Sequence, residues 1–398
     1  MDKPTALETR MVFTPNRQKV HSLTGRITPE LVLAAFHAVK RNRGAAGIDK
    51  VSIQMFAANL DANLQSVMGD LKAGGFQPKP LRRQFIDKGN GKLRPLGIPA
   101  VRDRVAQEVL RRLLSPVFEP KFHDASYGFR PGRNCHGAIA RVLEYHESGG
   151  GFVLDADIQG FFDNLPHAVI MAAVAAEVAD GNILRLIEKF LRSGVMENGV
   201  FKPTTVGTPQ GGVISPLLAN IVLNHLDWHL HQHGLRFVRY ADDFVVVTPS
   251  QPQAEEARKQ VEQVLGALGL QLSPDKTRIT TYGKGYSFLG FVISSRSKRI
   301  RPKSEKQFQD KVRALTERQQ NFDASVIVKL NQVIQGTAHY FCTRWATHRD
   351  LLRRLDSWIR MRLRAMWKKV KRMTDNYRLP TRKFVQLGLL SLESFCWR

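Results

Sequence analysis

The sequence has few cysteines, and their spacing is informative. Its 398 residues include three of them, Cys135, Cys342 and Cys396, which lie far apart and never form a Cys-x-x-Cys pair. This spacing indicates neither a zinc module nor a dense disulfide framework. We therefore expect three reduced thiols.

The sequence also lacks a long apolar run. No uninterrupted stretch is long enough to cross a bilayer, and the N-terminus, Met1-Asp2-Lys3-Pro4, lacks the apolar core of a signal peptide. We expect a cytoplasmic protein without a membrane partner.

Acidic residues are scarce relative to basic ones. The chain has 35 Asp and Glu residues against 60 Lys and Arg residues, which gives a formal net charge of +25. A field of this sign favours a polyanion, so nucleic acid is the expected partner.

Two of the few acidic residues, Asp242 and Asp243, are adjacent. They lie between the β-forming runs 236–239 and 245–248, a pattern that predicts a hairpin with carboxylates at its tip. These like charges repel each other unless a divalent cation neutralises them. A solvated hairpin tip is the alternative interpretation.

A second acidic strand favours the interpretation as a metal site. The apolar run 152–157 ends at Asp157, shortly before Gly160. Two strands that each bring a carboxylate to one point can hold two metal ions. Nucleic-acid polymerases use such a pair of ions to align an attacking hydroxyl with a phosphoryl group.

A basic hairpin is predicted upstream of these strands. The runs 82–86 and 93–98 flank Asn90-Gly91, which is a strong turn signal. Lys88 and Arg94 would project from this hairpin and could close on a triphosphate, Arg94 through its planar fork and Lys88 as a point charge. A solvated basic hairpin is the alternative.

A glycine-rich loop, Gly207 to Pro216, runs into a predicted helix, with Ser215 at the N-cap and Pro216 in the first turn. Its glycines allow close approach to a base pair or phosphate, and Gln210 supplies an amide for hydrogen bonding. The loop does not match a Walker A motif, which disfavours a P-loop ATPase. Further along, residues 270–277 predict a strand and turn that present Lys276.

In this order the motifs resemble those of the reverse transcriptases encoded by bacterial group II introns. The resemblance runs from about Leu31 onwards, and its further motifs are 40–49, 76–80, 127–133 and 288–291. It implies an α+β right-hand polymerase with fingers, a palm with a βαββαβ core and a helical thumb. We divide the chain into an N-terminal extension with the start of the fingers, a fingers and palm domain, a thumb or maturase-like domain and a short tail, at residues 1–75, 76–300, 301–372 and 373–398.

The resemblance also implies roles for particular residues. The catalytic carboxylates are Asp157, Asp242 and Asp243, and with Ile158 they hold two Mg²⁺ ions, for which Mn²⁺ can substitute. The residues that bind the dNTP are Lys88, Arg94, Phe162, Gln210 and Lys276. The residues that contact template or primer are Arg130, Arg133, Tyr240, Phe288, Leu289 and Gly290.

Three side chains near Asp157 have to be interpreted separately. Phe162 occupies the position at which the family places an aromatic ring under the sugar of the incoming nucleotide, where no room remains for a 2′-hydroxyl. Phe161 is instead compatible with a place in the palm core. Asp155 shares a strand face with Asp157, but the family pattern does not require an acid there, so we leave it out of the site.

The C-terminal region is basic and helical. Residues 351–369 alternate apolar and cationic faces, as a helix that packs inward and grips a phosphate backbone would. The segment 330–336, with Tyr340-Phe341, resembles the family's maturase-specific region. The expected partners are an RNA template, a DNA or RNA primer, dNTPs and a structured intron RNA.

Other functions remain open at this stage. The chain lacks the paired Cys and His residues of an HNH endonuclease, so we expect no second-strand nick by that route. An intron-independent relative serving phage defence, DNA repair or spacer acquisition has the same motifs. A splicing-only maturase is an RNA-binding protein of a different class, against which the complete set of polymerase motifs argues.

Overall fold

A computed structural model of the protein describes residues 13, 18–87, 93–208, 211–369 and 375–397. The chain divides into two compact units, Met1–Ile279 and Thr280–Arg398. Both contain helices and strands, so the predicted mixed α+β class is confirmed. The four-part division predicted above stays a prediction.

The first unit contains most of the helices and a large apolar core. Its described α-helices are α1 (Pro29–Arg41), α2 (Ile53–Ala58), α3 (Leu60–Ala73), α4 (Val101–Phe118), α5 (Cys135–Glu147), α6 (Phe161–Asn164), α7 (His167–Ala175), α8 (Gly181–Leu191), α9 (Ser215–Gln232) and α10 (Gln251–Ala267). Its strands are β1 (Leu81–Asp87), β2 (Leu93–Ile98), β3 (Phe152–Asp157), β4 (Val195–Glu197), β5 (Val200–Lys202), β6 (Arg236–Tyr240) and β7 (Asp243–Thr248), with β8 (Arg278–Thr281) at the boundary.

One sheet organises the candidate site. Its strands lie in the order β6-β7-β3-β8. β7 is buried at every residue after Asp243, whereas β3 is buried at Val153, Leu154 and Ala156 and carries Asp155 and Asp157 on one face. Along the chain, the strands of this sheet and two helices follow as β3, α9, β6, β7, α10 and β8, with α6 to α8, β4 and β5 inserted between β3 and α9.

A second sheet has the order β2-β1-β4-β5. β1 and β2 form the antiparallel hairpin predicted from the sequence, with Arg82 opposite Ile98. β4 runs parallel to β1. The turn between β1 and β2, including Lys88, lies outside the described residues.

Two helix boundaries in this unit can be compared with the local sequence. α10 stops before Gly269, which has a φ of 69°, a conformation that glycine adopts without steric cost. The predicted N-cap at Ser215 is wrong by one residue. Ile214 is the N-cap and Ser215 the first helical residue. The Ser215 hydroxyl accepts a hydrogen bond from the Thr208 hydroxyl at 2.6 Å.

The second unit combines a small sheet with helices. The strands β9 (Tyr286–Phe288), β10 (Phe291–Ile293) and β11 (Lys298–Ile300) pair in the order β11-β10-β9. The described helices are α11 (Pro302–Leu315), α12 (Ala324–Phe341), α13 (Arg349–Lys368), α14 (Asp375–Arg378) and α15 (Thr381–Gln386). Among all helices in the described part of the chain, none is long and apolar enough to span a membrane.

The expectation of three reduced thiols is wrong for two of them. Cys342 and Cys396 form a disulfide, with their Cα atoms 4.9 Å apart, and Cys135 is free. The cysteines meet because the C-terminal segment is fastened to the helices: Asp356 of α13 accepts hydrogen bonds from the Leu392 backbone and the Ser391 hydroxyl. A pairing between residues 54 positions apart cannot be read from sequence spacing.

A buried carboxyl on α4 gives a stability prediction. Burial raises the pKa of Asp103 to about 6, and the hydrogen bond from the Lys79 backbone and the positive charges of Arg102 and Lys79 oppose this only in part. One carboxylate oxygen accepts from the Lys79 backbone N–H at 2.9 Å, while Oδ1 has no hydrogen-bond partner. Since the folded state then binds a proton that the unfolded state has lost, the free energy of unfolding falls as pH rises from about 4 to 6.

Asp103→Asn is therefore expected to stabilise the protein at pH 7.5 but not at pH 4. A rise in pKa from 3.8 to about 6 corresponds to a gain of at most ~3 kcal/mol. Urea unfolding at both pH values measures it, with the exposed Asp61→Asn as the matched control. An equal effect of Asp103→Asn at both pH values would contradict the assignment.

Candidate metal and nucleotide site

The predicted carboxylates meet at one end of the central sheet. β6 and β7 form the expected hairpin, and Ala241 and Asp242 form its turn. Asp243 is the first residue of β7 and the register partner of Asp157, the last residue of β3. Two of the three carboxylates therefore face each other across neighbouring strands, and Asp242 directly precedes one of them.

Basic residues that follow α10 pair with the acids of β3. Lys276 Nζ lies 2.8 Å from Asp157 Oδ2, and Arg278 Nε lies 3.2 Å from Asp155 Oδ2. Burial raises the pKa of the Asp155 carboxyl to about 6, although Arg278 opposes the shift. Asp155 is thus paired with Arg278, and Asp157 is paired with Lys276, two residues earlier.

Backbone contacts hold Lys276 in this place. The Ser273 N–H donates to the Asp157 carbonyl at 2.7 Å, and Ile158 forms an isolated antiparallel bridge with Leu272. The strand predicted at 270–272 is reduced to this bridge, and the regular strand β8 begins only at Arg278. Ile158, which is also predicted to hold the metal, directly follows Asp157 and is buried.

The chemistry of these residues fits a divalent cation. Carboxylate oxygens are hard donors of the type that Mg²⁺ and Ca²⁺ prefer. Within the described residues, however, no group of three or more His, Cys, Asp or Glu side chains is arranged so that it could hold a metal ion. Since Asp157 is paired with the ammonium of Lys276, an ion at Asp157 has to compete with this cation.

The glycine-rich loop packs against the start of α6 and the base of the basic hairpin. The Thr208 N–H donates to the Phe162 carbonyl at 2.7 Å. A Cβ at Gly211, whose φ is 112°, would lie 2.5 Å from the carbonyl oxygen of Gly97 in β2, so only glycine fits there. On the far side of the loop, the Gln107 side chain accepts from the Val213 N–H at 2.7 Å.

Three predicted nucleotide-binding residues belong to the β1–β2 hairpin and the glycine-rich loop. Lys88 and Gln210 lie outside the described residues. Arg94 lies in β2 opposite Ile86, three residues before Gly97, whose carbonyl lies next to Gly211. Their roles stay predictions, but the two segments that carry them are adjacent.

Phe161 and Phe162 have different surroundings. Phe161 is 1% exposed and belongs to the core. Phe162 is only partly buried, with its ring centroid 5.2 Å from that of Phe161. An accessible ring five residues after Asp157 is the arrangement that a contact with a nucleotide sugar requires.

The predicted template and primer residues of the first unit are mostly engaged within the protein. Arg130 is 8% exposed and donates to the carbonyls of His123 and Ser126 and to Glu119. Its contacts therefore give no support to a role in nucleic-acid binding. Arg133 pairs with Asp124 at 2.5 Å.

Tyr240, the third of these residues, lies at the end of β6. Burial and a hydrogen bond with Cys135 raise its pKa to about 12, so its hydroxyl stays protonated at neutral pH. Its ring lies 6.3 Å from that of Phe129, which is 61% exposed.

The predicted primer segment belongs to the second unit. Phe288 is fully buried, and Leu289 and Gly290, with φ values of 47° and 83°, form the tight turn between β9 and β10. The Leu289 carbonyl accepts from the Tyr340 hydroxyl at 2.9 Å, and the Gly290 carbonyl accepts from the Arg301 N–H at 2.9 Å.

Sequence reasoning missed a buried polar network behind the acidic turn. It centres on Arg239, which is fully buried in β6 and forms an ion pair with Asp227 of α9. The available signal was the position of Arg239. In a strand whose alternate residues point to opposite faces, Arg239 follows two buried apolar residues and precedes the acidic turn.

Comparisons with known proteins agree with the motif order. A family model described as reverse transcriptase (RNA-dependent DNA polymerase) matches residues 86–293, and a model described as group II intron, maturase-specific domain matches residues 305–384. Protein YkfC of Escherichia coli (strain K12) is 37% identical over 312 residues, which are 68% of this chain and 82% of YkfC.

Two further relatives extend well beyond the region that matches this chain. Group II intron-encoded protein LtrA of Lactococcus lactis subsp. cremoris is 31% identical over 285 residues, 70% of this chain and 46% of LtrA. A 91 kDa protein in the cob intron of Schizosaccharomyces pombe is 31% identical over 325 residues, 67% of this chain and 40% of that protein. The chain thus spans less than half the length of these two relatives.

Proposed function

Because this chain belongs to the reverse transcriptase family and is of the group II intron type, we propose that it extends a primer with dNTPs on an RNA template by two-metal catalysis. The observation that carries the proposal is the register of Asp157 with Asp243, next to Asp242, at one end of the β6-β7-β3-β8 sheet. The succession of strand, helix, two strands, helix and strand in that sheet supports its assignment as the palm.

The carboxylates and the basic residues have different roles in this proposal. Asp157, Asp242 and Asp243, with the Ile158 carbonyl, would hold the two Mg²⁺ ions. When bound, the ions align the primer 3′-hydroxyl with the α-phosphate and neutralise the triphosphate. Lys88 and Arg94 of the β1–β2 hairpin, as part of the fingers, bind the triphosphate oxygens.

Lys276 changes partner in this scheme. Its ammonium lies on Asp157, which neutralises part of the acidic cluster. In the loaded site, the flexible lysine side chain would leave the carboxylate and supply positive charge to the leaving pyrophosphate.

The direct test is primer extension on an RNA template with dNTPs and Mg²⁺. The proposal predicts full-length DNA, loss of product when the metal is chelated, and restoration by Mn²⁺. Extension that continues under chelation would contradict the two-metal scheme.

RNA binding is assigned to the basic second unit as the thumb. On α13, one face is buried through Leu352, Leu355, Ile359 and Leu363, while cations such as Arg354 are exposed. This distribution suits contact with a phosphate backbone. We assign the action to the cytoplasm, where intron RNA and dNTPs are present together.

A second function, assistance of intron splicing, is favoured by the maturase-specific match at residues 305–384. Its test is the splicing rate of a group II intron RNA at low Mg²⁺ with and without the protein. Acceleration that survives loss of polymerase activity would establish a separate maturase function, and no acceleration for any tested intron would remove it.

A further inference from the structure

A fully hydrogen-bonded arginine lies behind the acidic turn. Arg239 donates through Nε and Nη2 to the two oxygens of Asp227, at 2.7 and 2.6 Å. Its Nη1 donates to Asn220 Oδ1 at 2.9 Å and to the Ala241 carbonyl at 3.0 Å, and its Nη2 also donates to the Ser126 hydroxyl at 2.8 Å. These five bonds use all five N–H donors of a guanidinium.

The network excludes solvent. Arg239, Asp227 and Ser126 are 0% exposed, and Asn220 is 1% exposed. A buried ion pair is a poor source of stability because the desolvation of both charges offsets their attraction, but its geometry can be specific. Here the bidentate fork fixes the orientation of the guanidinium, and that orientation directs Nη1 at the backbone of the turn.

The backbone that Nη1 contacts is strained. Ala241 has a φ of 59°, a left-handed conformation that residues with a Cβ seldom adopt and that persists only where its surroundings enforce it. The Ala241 carbonyl is the acceptor, and Asp242 is the next residue. The guanidinium therefore holds the peptide unit from which Asp242 projects.

Other contacts close the turn from a second side. The Asn220 amide that accepts from Arg239 also donates to the Gly128 carbonyl at 2.8 Å. A Cβ at Gly128 would lie 2.5 Å from the Ala241 nitrogen, so the segment around Gly128 and the turn touch backbone to backbone. Asn220 and Asp227 are seven residues apart on α9, hence on one helix face, which makes α9 the rigid support.

We propose that Arg239, held by Asp227 and Asn220 of α9, is a positioning residue that sets the Ala241 conformation and so places Asp242 for metal binding. The inference rests on the proposed polymerase function for its consequence, but its first effect is on metal affinity. The hydrogen bonds of the Arg239 guanidinium all go to groups of the protein.

The main variant is Arg239→Lys. Lysine keeps a positive charge for Asp227, but its three donors all leave from one nitrogen atom. They cannot replace the spread donors of the guanidinium, which reach Asp227, Asn220 and Ala241 together. Arg236→Lys is the matched control, because Arg236 lies on the same strand, is exposed and donates to Ser148 at the surface. Asn220→Ala and Gly128→Ala disturb the same turn without changing any charge.

Two readouts separate positioning from folding. Mn²⁺ binding, measured by electron paramagnetic resonance, should weaken roughly tenfold in Arg239→Lys, as expected when the support of a metal ligand is lost. In primer extension, kcat should fall roughly a hundredfold while KM for dNTP stays within about threefold, because misplacement of a ligand affects the chemical step. Thermal unfolding measures the folded fraction, and Arg236→Lys should match wild type throughout.

The outcomes are distinct. Wild-type Mn²⁺ affinity and kcat in folded Arg239→Lys would overturn the proposal, as would activity that falls only in step with the folded fraction. If Arg239→Lys does not fold, the same criteria apply to Asn220→Ala and Gly128→Ala. If wild type makes no DNA, the polymerase proposal fails, and the Mn²⁺ measurement still decides the role of Arg239.

Discussion

Asp157→Asn is expected to lower the rate of RNA-templated DNA synthesis roughly a thousandfold or more, since loss of a metal-holding carboxylate removes several kcal/mol of transition-state stabilisation. The substitution keeps the size of the side chain and removes one negative charge opposite Asp243. RNA affinity should stay within about twofold, because it depends on the distributed basic surface. Single-turnover extension and a filter-binding titration measure the two effects.

Asp155→Asn is the matched control. Asp155 lies on the same strand, two residues earlier, and is paired with Arg278. Activity within a few-fold of wild type is expected for it. Equal losses in the two variants would mean that the charge of the strand as a whole, rather than a ligand position, sets the rate.

Phe162→Ala is expected to relax the choice of sugar. The proposed role puts this partly buried ring beneath the nucleotide sugar, so its removal should open space for a 2′-hydroxyl. The preference for dNTP over rNTP, as a ratio of kcat/KM values, should fall roughly 10- to 100-fold, in the range that steric discrimination of a single group provides. Competitive incorporation of matched dNTP and rNTP measures this ratio.

Phe161→Ala tests whether the effect is local. Phe161 is 1% exposed in the core, so its truncation should cost about 3–5 kcal/mol of stability and leave the sugar preference of the folded protein unchanged. A selectivity change in Phe161→Ala but not in Phe162→Ala would reverse the assignment of the two rings.

Much of the fold could be predicted from local sequence. Apolar and β-forming runs next to acidic residues predicted β3 and the β6–β7 hairpin, and the runs on either side of Asn90-Gly91 predicted the β1–β2 hairpin. These signals are strong because burial and backbone conformation are set within a few residues. The strand and turn predicted over 270–277 is present only in part, since Leu272 forms a single bridge with Ile158 and the regular strand β8 begins at Arg278.

Contacts between distant segments could not be predicted. The disulfide joins Cys342 to Cys396 through the docking of the C-terminal segment, and the Arg239 network joins three segments of the first unit. Arg130 was assigned to nucleic acid by its motif, whereas its guanidinium is directed inward at Glu119 and two carbonyls. A motif identifies the residue type at a position but does not indicate whether its side chain faces a ligand or the core.

Primer extension on an RNA template with Mg²⁺ and dNTPs, comparing wild type with Asp242→Ala, tests the central claim most directly. The account predicts extension by wild type alone, with RNA binding retained by both proteins. Extension by Asp242→Ala at the wild-type rate would contradict the site. Absence of extension by either protein, with RNA still tightly bound, would contradict the polymerase function and favour a splicing-only maturase.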